Sequence, residues 1–158
     1  MPCYLFTWHA YGSWMPDRPQ GYVKARAILP PDRPEADRYR ARQNEATAVF
    51  DTSTQKLVID ELVVTASFRR FRLRFVATDL THLHVLVSGP DERTYAQLRR
   101  GIRESITRRL NHQEDRAWLT HRGSRKRIRD QSHFDYLVAT YLPKHRGWKW
   151  DEKGGMRE

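Results

Sequence analysis

Two apolar runs, FRLRFVAT at 71–78 and LTHLHVLV at 80–87, follow one another with only Asp79 and its neighbours to turn the chain. So short a connection admits two strands only as an antiparallel hairpin. The first run alternates with period two, which predicts Phe71, Leu73, Phe75 and Ala77 on one face and Arg72, Arg74 and Val76 on the other. Ser88-Gly89-Pro90 stops the second strand. This hairpin is the fixed point to which the remaining segments are fitted.

Upstream, CYLFTWHA at 3–10 is short, apolar and aromatic, as a buried strand is. The segment from Tyr11 to about 52 is turn-rich: Pro16, Pro19, Pro30, Pro31 and Pro34 exclude long regular elements, and one polar helix is expected within 36–50. A stretch of that length between core elements reads as a Pro-rich insertion, at about 11–52, or as a flap over substrate. Thr54 is expected to cap a helix to about Ser67, with Leu57, Ile59, Leu62, Val63 and Ala66 turned to the core. Residues 93–111 read as an amphipathic helix with Leu98, Ile102, Ile106 and Leu110 inward. Trp118-Leu119-Thr120-His121 suggests a short strand and RGSRKRIRD a basic loop. Ser132 and Asp135 have the spacing of a capping box for a last helix with Phe134, Leu137, Val138 and Tyr141 on one face. Pro143 ends it, and 151–158 read as a short polar tail. The order strand–helix–strand–strand–helix–strand–helix is that of an α+β fold: a ferredoxin-like split βαβ antiparallel sheet with helices on one face, plus a C-terminal helix bearing tyrosines. The other face is left for a ligand. One domain accommodates all 158 residues.

Lys and Arg number 29 against 19 Asp and Glu, a net charge of +10. Such an excess attracts polyanions, nucleic acid first among them. It is clustered: Arg69, Arg70, Arg72 and Arg74; Arg99, Arg100, Arg103, Arg108 and Arg109; Arg122, Arg125, Lys126, Arg127 and Arg129. Arginine suits bidentate phosphate contacts and stacking on bases. The single Cys3 leaves no disulfide framework and fits a reducing, cytoplasmic setting, nucleoid-associated if the source is bacterial. No apolar run approaches the ~18–20 residues of a membrane span, and MPCYLFTWHAYG has neither the basic flank nor the cleavage site of a secretion signal.

His82-Leu83-His84 carries the chemistry. On a strand, residues i and i+2 project from one face about 6.6 Å apart at ~3.3 Å per residue, so two neutral imidazoles can converge on one divalent ion while Leu83 points to the core. The same pattern also fits two plain surface histidines. A metal needs at least one more ligand from elsewhere.

ATDLTHLHVLV, with its turn, histidine, aliphatic residue, histidine and aliphatic strand end, resembles the signature strand of the HUH superfamily. The nearest likeness is to the single-tyrosine transposases of insertion-sequence and REP-associated type, whose strand typically reads Met-Pro-Asn/Asp-His-Val-His-Leu-Leu-Val. Here Thr78-Asp79-Leu80-Thr81 replaces the turn. Tyr11-Gly12-Ser13-Trp14 is similar to an aromatic-Gly-Ser/Thr-Trp segment of one subgroup. The resemblance implies Mg²⁺ or Mn²⁺ on His82 and His84, and a nucleophilic tyrosine late in the chain with a third ligand about one turn on. YLVATYLPKHRG offers Tyr141 with His145 at i, i+4, His145 standing where the family usually carries Gln or Asn; Tyr136, with only Thr140 at that spacing, is the alternate, and His121 and His133 are reserve ligands. Further implications are nicking and rejoining of single-stranded or hairpin DNA through a 5′-phosphotyrosine link, and either a monomer or a homodimer. Arg70, Arg72, Arg74, Arg99, Arg100, Arg103, Arg125, Lys126 and Arg127 would track the DNA backbone, with Trp14 or Trp148 stacking on bases and Trp8 and Trp118 in the core. The competing readings are a non-catalytic nucleic-acid binder on the same fold and a water-using phosphodiesterase acting on RNA.

Overall fold

The computed structural model describes residues 1–90, 94–121 and 123–158. Its centre is a six-stranded antiparallel sheet ordered β6-β1-β5-β4-β7-β8. The strands are β1 (Cys3–His9), β4 (Arg72–Thr78), β5 (His82–Ser88), β6 (Ser124–Arg127), β7 (Lys149–Asp151) and β8 (Gly155–Arg157). Two short strands, β2 (Tyr22–Lys24) and β3 (Ala27–Leu29), form a separate hairpin. β5 lies between β1 and β4 and runs antiparallel to both, as the split βαβ arrangement requires. The helices linking these strands, α2 (Thr52–Arg69) and α3 (Tyr95–Asn111), pack together on one face. The fold is the expected α+β, ferredoxin-like one. Among the described residues, no helix is long and apolar enough to cross a membrane.

The alternation in β4 is broken where the sequence shows none. Leu73 faces Val87, but Phe75 faces Leu86, so Arg74 sits at a bulge. The extra residue flips the rest of the strand. Phe71, Leu73 and Val76 join the core beneath α2 and α3, while Phe75 and Ala77 join a second cluster with Leu5, Leu86, Leu137 and Leu142 on the opposite face. That second cluster receives the C-terminal helix, so the sheet is apolar on both sides at this end and the expected single-faced alternation does not hold.

Local signals were displaced by a few residues in several places. Asp51, not Thr54, caps α2, its carboxylate accepting from the Thr54 amide. The core residues of α2 are Val58, Ile59 and Leu62 with Thr54, Gln55 and Thr65, whereas Val63 is exposed. Thr94 begins α3 with a full capping box to Gln97; position 93 lies outside the described residues. The insertion's helix, α1 (Arg33–Ala41), starts within the Pro-rich part because Pro34 occupies its first turn, where a missing N–H costs nothing. Leu119 makes only an isolated bridge to Ala10. The edge strand is instead SRKR, read from its charge as loop; it pairs with β1 through its backbone and has every side chain exposed, a pattern with no apolar period to detect. Asp130 caps α4 (Gln131–Tyr136) in place of Ser132, and Asp135 accepts from Gln131. The polar residues from 151 onward close the sheet as the β7–β8 hairpin rather than trailing as a tail.

Candidate metal centre and its tyrosine

The register places Thr7 opposite His84 and His9 opposite His82, all on the face away from α2 and α3. Leu83 is fully buried beneath the helices, as an alternating strand demands. The C-terminal helix crosses this face. After α4 the chain widens into one π-helical turn, Leu137–Tyr141, in which the Leu142 amide bonds back to the Leu137 carbonyl. The two buried side chains are accordingly Leu137 and Leu142, five apart. Regular α spacing would have put Tyr141 in the core; the extra residue in the turn moves it out, leaving it 37% exposed. Its ring centre lies 5.6 Å from that of His84 and 5.4 Å from that of His145.

Pro143 falls in a single 3-10 turn, Leu142–Lys144, and His145 follows in extended backbone. Tyr141 and His145 therefore do not share a helical face, although the i, i+4 spacing suggested it. The chain bends at the turn and carries His145 back over the strand. Ring centres are 4.5 Å from His145 to His84 and 5.2 Å to His82. One nitrogen from each of His82, His84 and His145 lies within 4.8 Å of the other two.

The donor set suits a divalent cation. His145 Nδ1 donates to the Leu142 carbonyl at 3.0 Å, which fixes Nε2 as the free lone pair. His84 Nδ1 meets Thr7 Oγ1 at 2.6 Å, and His82 Nδ1 meets Thr81 Oγ1 at 3.1 Å. Each ring is thus held through Nδ1, as orienting partners hold metal-binding imidazoles. Burial pushes the His84 imidazole down to about 3, helped by the neighbouring histidines, and lowers that of His82 for the same reasons. Both are neutral near pH 7, the form that binds metal.

Several supporting residues escaped the sequence reading. Gln55 Oε1 accepts from the Trp148 amide at 2.9 Å and from the Thr78 hydroxyl at 2.8 Å, while its amide donates to the Phe50 carbonyl at 2.6 Å. Lys149 Nζ, buried, donates to the carbonyls of His145 at 3.0 Å and Gly147 at 2.8 Å. Gly147 has no room for a Cβ, which would collide with Gln55 and the Thr78 carbonyl. These contacts fasten the segment after Pro143 to the sheet edge. A glutamine at helical spacing or a lysine in a basic chain gives no sequence signal of such a task.

Of the remaining candidates, Tyr136 is 54% exposed, 6.5 Å from Tyr141 by ring centres, and it lines a cavity of about 320 Å³ with Tyr141, Lys126 and Ser124. His121 and His133 lie outside the triad: His121 borders a groove with Arg99, Arg100 and Arg103 on α3, and His133 accepts from the Arg129 amide on α4. Those α3 arginines belong to the helix layer, across the sheet from the histidines. Arg72 and Arg74 both pair with Glu152, Arg125 stacks on Tyr95 at 3.3 Å, Arg127 reaches the far end of the sheet near Met1, and Arg70 caps α2 in left-handed backbone. Arg122 lies outside the described residues. Trp8 and Trp118 are buried in the core, Trp148 packs against it beneath Lys56, and Trp14 faces the histidines.

No protein-family model matches this chain, and no curated protein matches it at a significant level. Among solved structures, the REP-associated tyrosine transposase bound to a REP hairpin superposes with a TM-score of 0.53 over 87% of this chain, at 12% identity. The two share a fold. This chain spans 62% of that protein's length.

Proposed function

We propose that this protein is a metal-dependent, single-tyrosine DNA-strand transferase of the HUH transposase type, acting on single-stranded or hairpin DNA. The observation that carries the reading is the meeting of three histidines with a half-exposed tyrosine on the sheet face opposite α2 and α3. His82, His84 and His145 would hold Mg²⁺ or Mn²⁺, and such an ion supplies charge neutralisation at a phosphodiester that otherwise repels nucleophiles. The likeness to a hairpin-bound transposase and the +10 charge support the nucleic-acid substrate.

Tyr141 is the nucleophile in this reading. Its phenolic oxygen bonds to phosphorus, the P–O3′ bond breaks, the phenolic proton leaves to solvent and the departing 3′-oxygen gains one. The 5′-phosphate stays on the tyrosine. Phenoxide leaves more readily than an alkoxide, so a 3′-hydroxyl can reverse the step and join the strand elsewhere. Tyr136 shares the cavity wall without touching a histidine ring. Lys126 and Ser124, on the adjoining edge strand, line the approach.

The test uses 3′-labelled single-stranded oligonucleotides carrying stem-loops, incubated with Mn²⁺ or Mg²⁺ and run on a denaturing gel. A labelled protein–DNA band is expected, lost in Tyr141→Phe and with chelator, and kept in Tyr136→Phe. Cleavage without an adduct would make the protein a hydrolytic phosphodiesterase; binding alone would make it a non-catalytic binder. Either result overturns the proposal.

A further inference from the structure

A cavity of about 380 Å³ opens beside His82 and His84, and part of its wall comes from the insertion: Trp14 and Arg18 line it together with His9, His82, His84 and Tyr141. Arg18 belongs to none of the motifs that located the site. Its guanidinium carbon lies 3.7 Å above the centre of the Trp14 ring, and that ring packs on His9 with centres 4.1 Å apart. The backbone is fixed as well, since the Arg18 amide donates to the Met15 carbonyl at 3.3 Å and its carbonyl accepts from Gly21 at 2.9 Å. This arginine is held in place rather than waving in solvent.

Asp17, the neighbour of Arg18 in sequence, is taken by Arg40 at 2.6 Å. Among the described residues, no carboxylate lies within salt-bridge distance of Arg18. Partial burial of a guanidinium is unfavourable unless charge or hydrogen bonds compensate. Arginine keeps its proton under such conditions. Its field reaches the histidines, contributing to the lowered pKa values of His9 and His82. A fixed cation with no carboxylate partner among the described residues, facing the same cavity as the nucleophile, is arranged for an anion that arrives with substrate.

We infer that Arg18 is a further catalytic residue of the reaction proposed above, its guanidinium pairing with the non-bridging oxygens of the scissile phosphodiester. Trp14 positions it. As the Tyr141 oxygen–phosphorus bond forms and the P–O3′ bond breaks, charge grows on those oxygens, and a donor fork already in place stabilises it without reorganisation. This inference rests on the strand-transfer reading.

The test compares wild type, Arg18→Ala and Arg18→Lys on an oligonucleotide that yields the adduct and on the same oligonucleotide with a neutral methylphosphonate at the scissile position. Arg18→Ala is expected to slow adduct formation on the phosphodiester by about 10²-fold or more, and Arg18→Lys to recover only part of it, because a point charge does not reproduce the fork. On the methylphosphonate the three proteins should react within a few-fold of one another, because the standing negative charge that Arg18 pairs with is absent and only one non-bridging oxygen remains for its fork. Mn²⁺ affinity and the thermal midpoint should be no lower than in wild type. Equal loss on both substrates, or no loss on the phosphodiester, would overturn the role of Arg18 while leaving the strand-transfer reading intact. Failure of the wild type to form any adduct overturns both.

Discussion

Gln55→Leu should weaken the fold and the histidine site together. Gln55 is 4% exposed and serves three partners at once: the Trp148 amide, the Thr78 hydroxyl and the Phe50 carbonyl. The Thr78 hydroxyl still has the Trp148 carbonyl at 2.6 Å, so it is not orphaned. The Trp148 N–H loses its acceptor and the Phe50 carbonyl loses its side-chain donor. The Leu80 amide also donates to Phe50 at 2.9 Å, so only the N–H is left wholly unpaired. At ~1–3 kcal/mol for a buried group left unsatisfied and ~1 kcal/mol for the second hydrogen bond, the loss is about 2–4 kcal/mol. For a domain of this size that lowers the thermal midpoint by roughly 4–16 °C. Urea unfolding followed by tryptophan fluorescence reads the free energy, and differential scanning calorimetry reads the midpoint. Because Trp148 is three residues after His145, Mn²⁺ affinity should also fall. A loss below about 1 kcal/mol would refute the view that this glutamine fastens the C-terminal segment to the sheet.

Other consequences follow from the same contacts. Lys149→Met removes the donor to the His145 and Gly147 carbonyls, and isothermal titration should show Mn²⁺ binding weakened about 10-fold or more, the usual effect of losing an orienting partner. Acid should destabilise the metal-free protein between pH 6.5 and about 3, because His9, held at about 4, and His84, held at about 3, stay neutral in the native state while they protonate in the unfolded chain. Their contribution is complete above pH 6.5 and is lost as the pH falls, so a His9→Asn, His84→Asn variant should show a flatter decline in urea midpoint across that window. Lys126→Ala should weaken single-stranded DNA binding and reduce the salt slope by about 0.7 if it holds one phosphate. Arg72→Ala should change it less, since Arg72 is already paired with Glu152; fluorescence anisotropy over a salt series distinguishes the two.

The hairpin at 71–88, the first strand and the two long helices were readable from the sequence because each rests on local periodicity or a short connection, whereas β6, β7 and β8 were not. His82 and His84 were readable for the same reason. Tyr141 and His145 stand with ring centres 5.4 Å apart, but helical spacing is not what joins them: a π-turn lifts Tyr141 out of the core and the bend at Pro143 returns His145 to the strand. The π-turn has no signature in residue type, and Pro143 marks the end of the helix without telling where the chain goes next. The bulge at Arg74 was equally silent, because an apolar residue on either face of a doubly covered strand looks the same in sequence. Charge misled in the opposite direction. SRKR looked like loop and is an edge strand. Thr7 and Arg18 depend on register and on the path of the insertion, which only three dimensions supply.

Electron paramagnetic resonance of Mn²⁺ titrated into the protein asks most directly whether the three histidines form one site beside Tyr141. One ion per chain should bind, with nitrogen hyperfine couplings that disappear in His84→Ala and weaken in His145→Ala, while Tyr141→Phe leaves them unchanged. Binding that survives His84→Ala, or no nitrogen-coupled Mn²⁺ at all, would contradict it.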